Sequence, residues 1–250
     1  MIFESHAHYD APCFENKLDG LFAELQPAGI AEIMTVGYDL ASSKKSARIS
    51  EKYRFVHASA GIHPLYLNGI NESALDELVN MTKNHKLSAI GEIGLDYSGR
   101  EDRDIQKKYF YEQLMIARKV SLPVILHVRK AGEDALKMLT GEDRGVIHGF
   151  SGSEETAKAY IKKGFKLGLG GAILAPGSRA AKAVSGIPLE HILVETDCPF
   201  CFGRPASIIG NNSHYLVVIV KKISEIHQIS FERVAEKTFE NSVSLFHAKK

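Results

Sequence analysis

The chain has 250 residues, a formal net charge of +1, 44% hydrophobic and 24% charged residues, which suits one eight-fold β/α barrel with a full core, although two small domains would fit the length equally. The near-neutral balance excludes a broad basic face of the kind that wraps duplex nucleic acid, but not a pocket gripping one or two phosphates. No apolar run approaches the roughly 18 residues of a membrane span, and the opening Met-Ile-Phe-Glu-Ser-His has neither a basic nor an apolar signal region, so a cytoplasmic protein is expected.

Short β-branched or apolar runs begin near Ile2, Glu32, Phe55, Ser88, Pro123, Gly145, Lys166 and Ile192. Helical patterns lie between them at about 14–25, 41–53, 72–84, 104–120, 131–140, 153–163 and 178–186. The stretch 213–246 carries two more, broken near Gln228-Ile229-Ser230, where Ser230-x-x-Arg233 lacks the Glu of a capping box. Strands alternating with helices argue for βα units and a parallel sheet. With no linker or low-complexity segment, residues 1–250 read as a single domain.

The polar residues choose between an open sheet and a barrel. The first strand runs into His6-Ala7-His8, the third into Gly61-Ile62-His63-Pro64, the fourth into Gly91-Glu92-Ile93-Gly94-Leu95-Asp96. The fifth ends on His127-Val128-Arg129, the sixth on His148-Gly149-Phe150-Ser151 and the eighth on Glu195-Thr196-Asp197. Spread along an open edge these groups would be too far apart to cooperate, whereas a closed TIM (β/α)8 barrel gathers its strand ends on one face.

His6 and His8, two apart on a strand, share a face. Imidazoles with carboxylates suit zinc, manganese or iron, and magnesium where carboxylate and water predominate. A catalytic zinc needs only three protein ligands plus water; His6, His8, Glu92, His127, His148 and Asp197 exceed that and favour two ions, with Glu92 as the natural bridge. His57, His85, His191, His227 and His247 read as structural. Gly168-Leu169-Gly170-Gly171 reads as a tight turn before it reads as a phosphate contact, and Ser151-Gly152-Ser153-Glu154 as a helix cap. Of three cysteines, Cys13 stands alone, while Cys198 and Cys201 form a C-x-x-C for which two small residues near a strand end are favoured over redox or metal chemistry.

These motifs, with Gln106 to Leu114, Leu122-Pro123-Val124, Gly152, Pro199 and Asn241, resemble the TatD-like metal-dependent hydrolases of the amidohydrolase-type barrel superfamily along nearly the whole chain. The resemblance implies a TIM barrel, a two-metal centre supported by magnesium or manganese, with zinc possible, and deoxyribonuclease or 3′-exonuclease activity. It implies that His6 and His8 ligate one ion and His127 and His148 the other, that Glu92 bridges, and that Asp197 ligates and handles the proton of the attacking water. His63 and Arg129 match positions associated with the substrate phosphate. The chain departs from the family pattern at Gly149-Phe150, at Val128, and in the stretch from Gly203-Arg204-Pro205 to Asn211-Asn212-Ser213-His214.

The expected function is therefore two-metal hydrolysis of a phosphodiester, on nucleic-acid ends or a small phosphodiester, with Asp197, Glu92 and His63 catalytic and Arg129 and His63 on the phosphate. No membrane and no obligate protein partner is expected. The alternative keeps the metals and changes the bond, giving an amidohydrolase, lactonase or deacylase, for example on aminoacyl-RNA. A metal-binding protein without activity would show a degraded ligand set, yet all six positions are present.

Overall fold

A computed structural model describes residues 1–71, 73–200 and 212–247. The chain alternates strand and helix: β1 (Ile2–Ala7), α1 (Leu18–Leu25), β2 (Ile30–Val36), α2 (Leu40–Lys52), β3 (Val56–Ala60), α3 (Ser73–Asn84), β4 (Ala89–Asp96), α4 (Arg103–Val120), β5 (Val124–Arg129), α5 (Gly132–Met138), β6 (Gly145–Ile147), α6 (Glu154–Lys162), β7 (Phe165–Leu169), α7 (Arg179–Val184), β8 (Ile192–Val194), α8 (Leu216–His227) and α9 (Phe231–Phe246). The eight strands lie in sequence order, each parallel to the next. The seam between β8 and β1 is joined at its upper end, where the Asp197 amide donates to His6 O at 2.9 Å and the His8 amide to Cys198 O at 2.6 Å. This is the expected TIM barrel.

The eight strand positions follow the sequence reading, while some helix ends differ for local reasons. The first helix starts at Leu18 because Asn16 adopts a left-handed φ of 60° after a 3-10 turn at Pro12–Phe14. The final break falls at Gln228, whose φ of 54° ends α8, and Ser230 caps α9 by accepting from the Arg233 amide at 3.2 Å, even without the Glu of a capping box.

Two apolar layers result. Phe3, Met34, Val36, Ile125, Val146 and Leu193 pack together inside the barrel, and Leu245 and Phe246 at the end of α9 plug the mouth where the strands begin. Outside, Ile33, Val56, Leu126, Leu78, Phe110, Leu114 and Ile219 fill the space between sheet and helices. The alternation of Ile33 with Met34 is the period of two that sends one residue outward and the next inward. Among the described residues, no helix is long and apolar enough to cross a membrane.

Buried amides on α4 hold the strand ends that carry polar residues. Gln113 accepts from the Ile62 amide at 2.8 Å and donates to Ile62 O at 3.1 Å, fixing the backbone beside His63. Gln106 treats Asp96 the same way, at 2.7 and 2.9 Å. Asn241 on α9 donates to Leu189 O and Ile192 O at 2.7 and 2.9 Å, clasping the start of β8.

Gln113→Leu keeps the volume but leaves the Ile62 amide and carbonyl buried without partners. Each orphaned group costs about 1–3 kcal/mol, so the urea midpoint should fall clearly. An unchanged midpoint would show that water or a neighbour replaces the clamp.

Candidate metal centre

The strand ends at the upper mouth bring His6, His8, His63, Glu92, His127, His148 and Asp197 around one cavity of about 330 Å³, which is also lined by Arg129, Tyr38, Tyr66 and Phe200, and behind which His6 is fully buried. His6 Nε2 and His8 Nε2 stand 3.2 Å apart. Asp197 Oδ1 lies 3.6 Å from the first and 3.2 Å from the second, and Glu92 Oε2 lies 3.4 and 3.7 Å from the same pair. The other Glu92 oxygen, Oε1, faces His127 Nδ1 at 3.1 Å, His63 Nε2 at 3.7 Å and His148 Nε2 at 4.0 Å. Glu92 therefore stands between two sets of imidazoles. Asp197 reaches the group by turning its backbone to a left-handed φ of 57°.

Glu92 Oε2 faces His6 and His8 while Oε1 faces His127 and His148, and the rings also touch across these two pairs. His148 stacks on His6, ring centres 3.5 Å apart, and sits 6.4 Å from the His127 ring. His127 instead adjoins His63 at 4.4 Å. Three overlapping ligand groups result: His6 with His8 and Asp197, His6 with Glu92 and His148, and His63 with Glu92 and His127. His63, expected on the substrate phosphate, lies in the third group with Nε2 3.7 Å from Glu92 Oε1.

Partners behind the rings decide which nitrogen faces inward. The Val36 carbonyl accepts from His8 Nδ1 at 2.7 Å, leaving the Nε2 lone pair toward the cavity. Glu195 Oε1 holds His148 Nδ1 at 2.8 Å and accepts from the Gly149 amide at 2.6 Å. Asp96 Oδ2 takes His127 Nε2 at 2.9 Å. Such outer partners orient a metal-ligating imidazole and raise its basicity.

Charge follows the same geometry. Burial pushes the Glu92 carboxyl up, but His63, His6 and a hydrogen bond from His127 outweigh it and hold the group well below the usual carboxylate range. Burial likewise opposes ionisation of Asp197, and His148 and His8 keep it low. For His148, burial pulls the imidazole down while Glu195 and Asp197 carry it up to about 10. Burial drives His63 down to about 4 against the pull of Glu92, so its ring is neutral at ordinary pH.

The residues fit divalent ions. Donor atoms 3.2–3.7 Å apart match the edge of a coordination shell with bonds of roughly 2.0–2.2 Å. The donors are imidazole nitrogens and carboxylate oxygens, and among the described residues no lysine or arginine ion-pairs with Glu92 or Asp197. Arg129 stands on the cavity wall and its guanidinium meets no carboxylate among the described residues.

The strand-end reading gives no role to three supporting residues. Asp96 shares the Glu92 face of β4 by alternation, and period-two spacing was its available signal; the intervening Gly94, at φ 140°, has a Cβ position only 2.0 Å from His127 O. Glu195 was read only as part of a motif. Its carboxylate occupies the space a Gly168 Cβ would fill, 2.1 Å from Oε2, so Gly168 makes room for Glu195, while Gly170 and Gly171 form the turn after β7. Glu4 is fully buried and accepts from Thr196 N, Thr196 Oγ1 and Ser213 Oγ at 2.8, 2.6 and 2.8 Å. Ser153 caps α6 as expected, accepting from Thr156 N at 3.3 Å. Burial, reinforced by the charge of Glu4, pushes the Cys198 thiol up, which makes it an inert packing residue. Cys201, Gly203, Arg204, Pro205 and Asn211 lie outside the described residues.

Comparison with known proteins agrees with this architecture. The sequence model of the family described as TatD related DNase matches residues 3–247. An uncharacterised metal-dependent hydrolase of Bacillus subtilis, YabD, is 33% identical, covering 98% of this chain and 99% of its own. Human deoxyribonuclease TATDN3 is 28% identical, covering 98% and 94%. The crystal structure of YjjV, a TatD homologue from Escherichia coli, superposes with a TM-score of 0.92 at 27% identity, covering 99% of this chain and 98% of that one.

Glu195→Ala should lower divalent-metal affinity by about 10–100-fold, the usual effect of losing an outer partner, and Gly168→Ala should act in the same direction by displacing that carboxylate. Metal titration of both variants, with circular dichroism to verify folding, checks this. Wild-type affinity in Glu195→Ala would remove Glu195 from the centre.

Proposed function

Since this chain belongs to the TatD related DNase family of metal-dependent hydrolases, we propose that it hydrolyses a phosphodiester at the end of a nucleic-acid strand, as a 3′-exonuclease does. The observation that carries this reading is Arg129: an exposed guanidinium, paired with no carboxylate among the described residues, on the wall of the cavity that holds Glu92 and His127. Its planar fork matches two phosphate oxygens, and a neutral carbonyl substrate gives it nothing to neutralise. The name of the human relative, a deoxyribonuclease, points the same way.

Two divalent ions, magnesium or manganese with zinc as the third choice, would be held by His6, His8, Glu92, His127, His148 and Asp197, and when bound they supply Lewis acidity and acidify water towards a pKa of about 7. Glu92 presents one oxygen to each set of imidazoles and keeps the two halves of the site in register. Asp197, held ionised beside His8 and His148, accepts the proton of the attacking water. His63 accepts from the Leu65 amide through Nδ1 at 3.2 Å, so its neutral ring carries hydrogen on Nε2 and can donate it to a phosphate oxygen or to the leaving group.

The mouth suits unstacked bases. Tyr38 and Tyr66 lie 4.8 Å apart, ring to ring, and Phe200 flanks His8 at 5.1 Å from the other side. Tyr66 and Phe200 are about half exposed, at 46% and 48%, an arrangement that lets terminal bases stack while the phosphate enters the cavity.

Metal-stripped protein should leave a 3′-labelled single-stranded oligonucleotide intact and recover turnover with magnesium or manganese. Failure with magnesium, manganese and zinc alike, together with turnover of lactones or acyl esters by the same preparation, would transfer the activity to a carbonyl. Arg129→Ala should lower kcat/KM by about 10–100-fold, from a lost charge-assisted bond of roughly 1.5–3 kcal/mol. Tyr66→Ala should weaken oligonucleotides through lost stacking of about 1–3 kcal/mol per base, yet leave a small phosphodiester unaffected. Equal losses on both substrates would place Tyr66 in the centre's architecture instead.

A further inference from the structure

A second convergence of ligand atoms lies at the opposite mouth of the barrel, where the strands begin. Glu32 near the start of β2, His57 near the start of β3 and His247 just past α9 come together from segments 25 and 190 residues apart. Glu32 Oε2 stands 2.7 Å from His57 Nε2 and 2.7 Å from His247 Nε2, and the two nitrogens are 3.2 Å apart. None of the three touches the catalytic cavity.

The surroundings fix the rings. His57 stacks on Phe3, centres 5.5 Å apart and planes 21° from parallel, and its Nδ1 faces Ser88 Oγ at 3.4 Å, so its Nε2 is the atom turned to the cluster. His247 is tilted on Phe3 at 6.3 Å. Among the described residues no lysine or arginine ion-pairs with Glu32, so its charge is answered only by the two imidazoles. Two imidazole nitrogens with one carboxylate oxygen form a donor set characteristic of zinc, and three protein ligands leave a fourth position for water. Tetrahedral bonds of roughly 2.0–2.2 Å set ligand atoms about 3.3–3.6 Å apart; the imidazole pair at 3.2 Å is already near that spacing. The carboxylate oxygen must draw back by about 0.6–0.9 Å to match the same spacing, a movement open to a half-buried side chain, 21% exposed.

We propose that Glu32, His57 and His247 bind one zinc ion through Oε2, Nε2 and Nε2, as a staple tying the end of α9 to β2 and β3. On binding, the imidazole hydrogens reside on Nδ1, which on His57 faces the Ser88 hydroxyl. The ion replaces a hydrogen-bonded contact with three coordinate bonds and locks the helix whose Leu245 and Phe246 plug the barrel. Because metal binding to the folded chain alone stabilises it by mass action, the staple acts on stability and is independent of the reaction at the other mouth.

The test uses full-length, tag-free protein stripped of metal, dialysed against zinc chloride, with zinc per chain measured by mass spectrometry and Tm by calorimetry. His247→Ala truncates a ring at 36% side-chain exposure, and Glu32→Gln keeps the shape while removing the charge, so both should fold. Each should hold one zinc fewer per chain than wild type, lose part of the zinc-dependent rise in Tm, and keep wild-type turnover once the catalytic centre is loaded. The same zinc content and the same rise in Tm in wild type and both variants would overturn the proposal.

Discussion

Two backbone hydrogen bonds, Asp197 N to His6 O and His8 N to Cys198 O, join the last strand to the first exactly where the ligand-type residues stand. In an open sheet of eight strands the outer members would be separated by about 30 Å or more, at roughly 4.8 Å per strand. Closure brings Asp197 within 3.2 Å of His8. Glu4 reinforces the seam: its carboxyl group, on β1 and pushed up to about 8 by burial, accepts from both the amide and the hydroxyl of Thr196 and from Ser213 Oγ. The loop after β8 is thereby tied to β1, and through Ser213 to the segment leading into α8. Ligand geometry and chain closure are one constraint, because the same short stretch of backbone carries both.

That constraint forces imidazoles and carboxylates into a space where each perturbs the next. His6 has no room for charge: burial and the neighbouring His148 hold its imidazole down even though Glu92 pulls the other way. His148, stacked directly against it, is pulled the opposite way by Glu195 and Asp197. Two rings in contact with opposite proton affinities leave one lone pair free and one nitrogen protonated. A divalent cation held by these residues would remove the conflict, taking the place of the imidazole proton and offsetting the charges of Glu92 and Asp197. The outer acids Asp96 and Glu195 then keep their function of fixing ring orientation, since they act on the nitrogens turned away from the cavity.

The barrel was legible in the sequence because alternation of short apolar runs with helical patterns is a local signal, and His6, Glu92, His127, His148 and Asp197 stand out as polar groups ending apolar strands. The ring contacts within the site were not legible. That His148 stacks on His6 depends on ring orientation across the barrel, which no spacing along the chain encodes. Glu195 and Gly168 illustrate the same limit: a glycine in β7 is explained by a carboxylate just past the end of β8, the neighbouring strand in the sheet. Glu32 read only as the start of a strand and His57 and His247 as structural, and only the return of α9 beneath the barrel assembles them.

The division between the two mouths follows from how a barrel is built. Loops leaving the upper ends are free to vary, so chemistry collects there, while the lower mouth is where packing must seal the core. Here the seal is α9, with Leu245 and Phe246 inside the barrel and Asn241 on the start of β8. At the upper mouth the formal net charge of +1 leaves little long-range attraction for a polyanion, so the substrate proposed above would be held by short-range contacts with the Arg129 guanidinium, the neutral His63 imidazole and the Tyr66 ring. Stacking needs a base already free of its partner. For the substrate proposed above that requirement is met at a strand end and not along an intact duplex, which is why weak overall charge and an aromatic rim belong to the same proposal.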